Sequence, residues 1–307
     1  MMDPSRYFLL PDGRLRAGWR LLLFGFVFLV AINLAAWFGE SLGPASFIPA
    51  QVLMLAVATL VTTWLMTRLV EHQPFHSIGL SLAPPAWRQT GTGFGIGAAL
   101  AGGVIVIEWS AGFVSFHFHP GDISEMAANV SQMSGLLLLG AASEEILFRG
   151  YPFQRLVEGT GDWAAVGVSS LLFGLGHAQN PNATELSVVN TTLAGTLLGL
   201  AYLRRRSLWL PIGLHFAWNW TVALCGLPVS GVELIRMPWR TVAASRFPLL
   251  HGADYGPEGG LITTVALSVG IIYLGRNQSC QSDLAQDRRS AGATPSSEDS
   301  QPPGFEP

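Results

Sequence analysis

The sequence predicts an all-α fold, a polytopic membrane helix bundle of about eight transmembrane helices. Three observations lead there. Half of the 307 residues are hydrophobic and only 12% are charged, with a mean hydropathy of +0.39, whereas ordinary globular chains carry roughly 25% charged residues. Apolar runs near the ~20 residues needed to cross a bilayer recur along the chain. The arginines, which supply all 17 basic residues, fall mostly on one side of the resulting topology.

The expected spans lie at about 17–39, 46–70, 91–116, 131–157, 162–178, 186–203, 207–225 and 261–275. Arg14, Arg16 and Arg20 precede the first, as in a signal peptide. Its apolar run is too long and lacks a clean cleavage site, so it reads as a retained signal-anchor. Gly91–Gly97 opens an apolar helix and follows no strand, so it is not a phosphate loop. Gly93-xxx-Gly97-xxx-Ala101 and Gly195-xxx-Gly199 read as small-residue faces for close helix packing. The fourth span contains Gly150 and Pro152 and is expected to kink there. Gly159-Thr160-Gly161 is a tight turn. Residues 226–260 form a long outside loop. The polar stretch 277–307 cannot bury enough apolar surface to fold and is expected to be a disordered cytoplasmic tail, leaving 1–276 as one membrane domain.

With eight spans and the N-terminus inside, the inner segments hold Arg6, Arg14, Arg16, Arg20, Arg68, Arg88, Arg155, Arg204–Arg206, Arg276, Arg288 and Arg289. The outer ones hold Arg236, Arg240 and Arg246. Positive charge stays inside, so both termini are expected in the cytoplasm and the chain in the plasma or inner membrane. A net charge of −3 gives no reason to expect nucleic acid. Cys225 and Cys280, one ending an apolar segment and one in the tail, are not a disulfide framework.

Polar residues inside apolar spans carry the chemistry, because ionisable groups at bilayer depth are costly and mark function. Glu144-Glu145-x-x-x-Arg149 places Glu145 and Arg149 on one helix face in the favourable order. Glu144 is turned about 100° away from Glu145. Phe173-x-x-x-His177 and His215-x-x-x-Asn219 repeat the one-turn spacing on two further helices. Each alone could be packing: a buried ion network, a core histidine, an interhelical clasp. Counted from the Gly159–Gly161 turn, however, Glu144 and His177 are at matching height, roughly 20–25 Å up an antiparallel pair. This count needs a kinked but continuous fourth helix. One that stopped near Arg149 would leave Glu144 near the surface. Glu144 could then take a proton from water, His177 could share or donate it, and His215 and Asn219 could donate hydrogen bonds to a developing oxyanion. No serine or cysteine nucleophile motif accompanies them, so the set points to amide hydrolysis by an activated water.

Glu-Glu-x-x-x-Arg, Phe-x-x-x-His and His-x-x-x-Asn in that order resemble the CPBP family of CAAX-processing and bacteriocin-processing (Abi) proteases, relatives of the Rce1-type CAAX prenyl protease. The resemblance covers about residues 130–222. It implies an intramembrane endopeptidase in which Glu144 and His177 activate water, His215 and Asn219 form the oxyanion site, and Glu145, Arg149 and Phe173 support them. It also implies a membrane protein or peptide as substrate within the lipid bilayer. Members have been described as metal-dependent, and Glu144, His177 and His215 would be the zinc ligands. The sequence lacks a His-Glu-x-x-His helix and Asn219 is a poor zinc ligand, so no cofactor is favoured and zinc is the alternative. The competing functional class is a proton-coupled transporter, since buried Glu and His also build proton relays. Other groups read as ordinary: Glu108 as interfacial, His117, His119 and Asp122 as a solvated loop, and His72, His76 and His251 as loop residues.

Overall fold

A computed structural model describes residues 7–41, 47–82, 86–118, 123–234, 239–243 and 246–291. Helix α1 spans Ala17–Ser41 and α2 Phe47–Leu65, the latter closing in a π-helical turn, Met66–Val70. Then follow α3 (Ala86–Ser110), strand β1 (Val114–Phe118), α4 (Ile123–Arg149), α5 (Tyr151–Thr160), α6 (Asp162–Gly176), α7 (Glu185–Arg205), α8 (Trp209–Leu224), strand β2 (Trp239–Ala243), the short α9 (Pro248–His251) and α10 (Leu261–Ala291). Of the tail 277–307 expected to be disordered, 277–291 continue α10 as helix, and 292–307 lie outside the described residues.

Large apolar side chains cover the outside of the bundle, Leu22, Phe26, Leu29, Trp37, Val106 and Ile107 among them. Such a surface is disfavoured in water and required in lipid, where helices satisfy their own backbone. Among the described residues, four helical segments are long and apolar enough to cross a membrane: Ala17–Gly39, Pro49–Val70, Ala86–Ser110 and Glu185–Arg205. The other expected spans are helical, but α6 and α8 have 15 and 16 residues, and the end of α4 carries Glu144, Glu145 and Arg149. Length and composition therefore single out four crossings where the sequence reading counts eight.

Close helix packing uses the small residues. A Cβ on Gly93 would lie 2.1 Å from the Leu210 carbonyl oxygen, one on Gly97 2.2 Å from that of Leu214, and one on Gly213 2.2 Å from that of Thr90. Helices α3 and α8 thus touch backbone to backbone, which fixes the height of His215. Gly195 approaches Ser170 of α6 in the same way, with its Cβ position 2.9 Å from the Ser170 Cα.

The fourth helix does not continue as a kinked rod. It ends at Arg149, and Gly150 turns the chain at φ −80°, ψ −124° before α5 starts with Pro152 in its first turn. A Cβ on Gly150 would sit 2.3 Å from the Ile146 carbonyl oxygen, so only glycine fits. The height match survives the break. Glu144 stands about 7 Å above the end of α4, ten-residue α5 adds about 15 Å, and α6 climbs about 22 Å back to His177. Ending the helix at Arg149 therefore does not separate the two groups.

A buried ion cluster holds α5 under α1 and α2. Arg20 donates to Glu71 Oε1 and Oε2 at 2.9 and 3.1 Å and also pairs with Glu158. Arg155 bridges the same two carboxylates at 3.1 Å each, and the Tyr151 hydroxyl donates to Glu71 Oε1 at 2.8 Å. Burial raises the Glu71 carboxyl, but the hydrogen bonds from Arg20 and Tyr151 and the nearby arginine charges outweigh it, so the group stays below the usual carboxylate range.

Three loop expectations change. The third helix stops at Ser110, and residues 114–118 pair antiparallel with 239–243, Val114 opposite Ala243 and Phe118 opposite Trp239. A short β-ribbon therefore covers the end of α8, where the Thr241 hydroxyl donates to the Cys225 carbonyl at 2.5 Å. Glu108 is fully buried, not interfacial, and neither of its carboxylate oxygens has a hydrogen-bond partner among the described residues. His251 is buried as well and stacks on Phe113 at 5.8 Å. His119 and Asp122 lie outside the described residues.

Substituting Gly97→Val should lower thermal stability by about 1–3 kcal/mol through overpacking, read by denaturation in detergent. Glu71→Gln should cost on the order of 3 kcal/mol at neutral pH by stranding buried arginine. Because the folded-state pKa of Glu71 is depressed, that difference is full above the unfolded value of ~4.3 and should vanish as pH falls through the folded value.

Candidate active site

Helices α4, α6 and α8 converge at one point, with α7 behind them. Glu145 and Arg149 are both fully buried and pair at 3.1 Å. The free end of the guanidinium donates to the Gly195 carbonyl of α7 at 3.0 Å, possible because Gly195 lets α7 approach. Its face lies on the Phe173 ring, 4.4 Å from the centroid. Phe173 also meets Phe148 and His215 edge-on, at 5.1 and 5.9 Å, and His177 at 4.6 Å. One aromatic ring thus separates the buried guanidinium from two imidazoles.

The histidine tautomers follow from their partners. His177 Nδ1 lies 2.8 Å from the Phe173 carbonyl oxygen, which only accepts, so Nδ1 carries the proton. His215 Nδ1 lies 2.9 Å from Glu145 Oε1 and donates to that carboxylate in the same way. Both rings therefore turn Nε2 to Glu144, whose Oε2 is 3.8 Å from His177 Nε2 and 3.9 Å from His215 Nε2. These separations exceed a direct hydrogen bond of ~2.7–3.2 Å. Glu144 Oε2 has no hydrogen-bond partner among the described residues.

Charge bookkeeping separates the two glutamates. Arg149 and His215 both donate to Glu145 Oε1, so Glu145 is held. Glu144 has no cationic partner in contact. With neutral imidazoles the cluster of Glu144, Glu145 and Arg149 carries one excess negative charge.

Glu144, His177, His215 and Asn219 all line one cavity of about 570 Å³. Asn219 lies one turn beyond His215 on α8. The cavity is mostly apolar, extends to Phe28, Gln51 and Leu55 of α1 and α2, and ends in a polar group beside the segment that follows α8. There Glu258 Oε1 accepts from Trp218 Nε1 at 2.9 Å, and Oε2 accepts from the Ser230 amide and hydroxyl at 2.6 and 2.7 Å. Asn180 donates to the Ser230 carbonyl at 3.1 Å, and Asn190 donates to the Glu258 and Gly260 carbonyls at 2.8 and 2.9 Å. The sequence reading named none of these residues. Asn190 was detectable as a polar group in an apolar helix. Glu258 was not, because its partners are distant in sequence.

A zinc site needs side chains converging within about 2.0–2.2 Å of one point. Among the described residues no group of three His, Cys, Asp or Glu side chains is placed to hold a metal ion. Glu144, His177 and His215 offer suitable lone pairs but are not drawn together as a ligand set.

Residues 126–221 match a family model, Rce1-like, described as type II CAAX prenyl endopeptidase Rce1-like. The matched segment runs from α4 into α8 and holds every motif residue described above. No curated protein and no solved structure matches the chain.

Replacing Arg149 with Met should strand Glu145 in the core and cost about 3–5 kcal/mol. Thermal denaturation in detergent should show the loss with or without substrate peptide.

Proposed function

We infer from the match over residues 126–221 that this chain is a CPBP/Rce1-type membrane peptidase acting on a membrane-associated peptide. We propose that this chain is a glutamate-dependent intramembrane endopeptidase. The observation that carries the reading is the convergence of Glu144 Oε2 with the Nε2 atoms of His177 and His215 at 3.8 and 3.9 Å in a half-buried cavity. A water donating to Glu144 and lying against His177 loses a proton to the carboxylate as its oxygen attacks the scissile carbonyl. The carbonyl oxygen becomes an oxyanion beside cationic His215, which donates from Nε2, and the Asn219 amide. The proton then passes through Glu144 or His177 to the leaving nitrogen, the C–N bond breaks, and an amine and a carboxylic acid, which ionises in water, are released. Glu145, Arg149 and Phe173 hold the histidines and touch no reacting atom. No step requires zinc.

The same reading takes 1–276 as the membrane domain and 277–307 as a cytoplasmic tail, with both termini inside the plasma or inner membrane. Arginine placement supports it.

The test uses purified protein in lipid nanodiscs and peptides ending in cysteine plus three residues, with and without an S-prenyl group. Cleavage of the C-terminal tripeptide is expected. His177→Ala should lower kcat by about 10²–10⁴ and Asn219→Ala by about 10², both with wild-type thermal stability. Full turnover by His177→Ala would refute the reading. A zinc chelator should leave turnover unchanged; loss restored by added zinc would establish the metal mechanism instead.

A further inference from the structure

Val229-Ser230-Gly231-Val232 forms a two-residue hairpin over the polar end of the cavity. Val229 and Val232 exchange both backbone hydrogen bonds, at 3.0 and 2.9 Å. Ser230 and Gly231 have φ +49° and +83°, both left-handed, as in a type I′ turn. The tip is pinned: Glu258 takes the Ser230 amide, the Tyr255 carbonyl takes the Gly231 amide at 2.9 Å, and Asn180 holds the Ser230 carbonyl. Asn180 lies three residues past His177, and Trp218, also on Glu258, lies three past His215. The hairpin is thus tied to the two elements that carry the catalytic histidines.

Beyond Val232 the chain passes along the cavity. Val232 and Leu234 line it, while Glu233 is exposed on the opposite face, the alternation of a strand. Successive residues of a strand aim their backbone groups at opposite edges. Val232 spends its N–H and C=O on Val229, so Glu233 turns its own to the other edge. Among the described residues, the Glu233 and Leu234 backbone makes no backbone hydrogen bond. An edge with no backbone partner among the described residues, whose alternate side chains line the cavity, suits strand addition, in which backbone bonds bind a peptide and alternate pockets read its side chains.

We propose that the Val232–Leu234 edge is the substrate-binding strand. The peptide lies extended beside it, one residue exchanges N–H···O=C bonds with Glu233, and alternate side chains enter the cavity. This rests on the endopeptidase reading and adds how the peptide is held.

The test is kinetic. Using the prenylated peptide above on wild-type protein, each backbone nitrogen is methylated in turn. One position near the scissile bond should lose on the order of tenfold in kcat/KM, chiefly through KM, because the methyl group removes the one N–H donated to the Glu233 carbonyl and leaves that carbonyl unsatisfied. Its immediate neighbours should be far less affected. In parallel, Glu233→Pro deletes the N–H and should raise KM at least tenfold beyond Glu233→Ala, which keeps it. Uniform tolerance of N-methylation by an enzyme that still cleaves the parent peptide overturns the strand site and leaves the hydrolytic reading intact. Equal losses in the proline and alanine variants assign the effect to the Glu233 carboxylate, which also overturns it. Failure of the hydrolytic reading looks different, since full turnover by His177→Ala does not depend on this edge.

Discussion

The salt bridge between Glu145 and Arg149 is the contact on which the rest of the site depends. Both groups are fully buried, and neither could remain there alone. The guanidinium is held by the Gly195 carbonyl and the Phe173 face, which ties α4 to α7 and α6. The carboxylate orients His215, which ties α4 to α8. Four helices meet through one ion pair, and that pair leaves the neighbouring carboxylate, Glu144, without a cation in contact. Adjacent glutamates on one helix thereby have different partners and different surroundings.

The break at Gly150 does the complementary work. A continuous helix would have to carry Pro152 in its interior. Ending at Arg149 lets Pro152 sit in the first turn of α5, where its missing N–H costs nothing. Helix α5 then descends to the level where α6 begins, and the ion cluster around Arg20 and Glu71 fixes it beneath α1 and α2. Those two helices supply part of the cavity wall, so the same cluster supports the apolar side of the cavity.

Much of this was legible in the sequence because the relevant forces are local. One-turn spacing identified the three polar pairs, and glycine spacing identified the α3 face that α8 packs against. Counting residues from Gly159–Gly161 placed Glu144 opposite His177, and that count survived the error about the helix between them. What the sequence could not convey depends on distant partners. Glu258 is a loop residue until Trp218 and Ser230 are seen around it. Glu108 looks interfacial by position and lies buried. The β-ribbon of 114–118 with 239–243 needs a pairing across the length of the chain.

Partners divide the two adjacent glutamates: Glu145 is tied into the core, and Glu144 lines the cavity. The most direct measurement compares Glu144→Gln and Glu145→Gln in one preparation, recording melting temperature and cleavage of the prenylated peptide together. Glu144→Gln is expected to melt with wild-type protein and lose turnover, while Glu145→Gln is expected to melt well below it. A Glu144→Gln variant that cleaves at the wild-type rate, or a Glu145→Gln variant with unchanged stability, would contradict it.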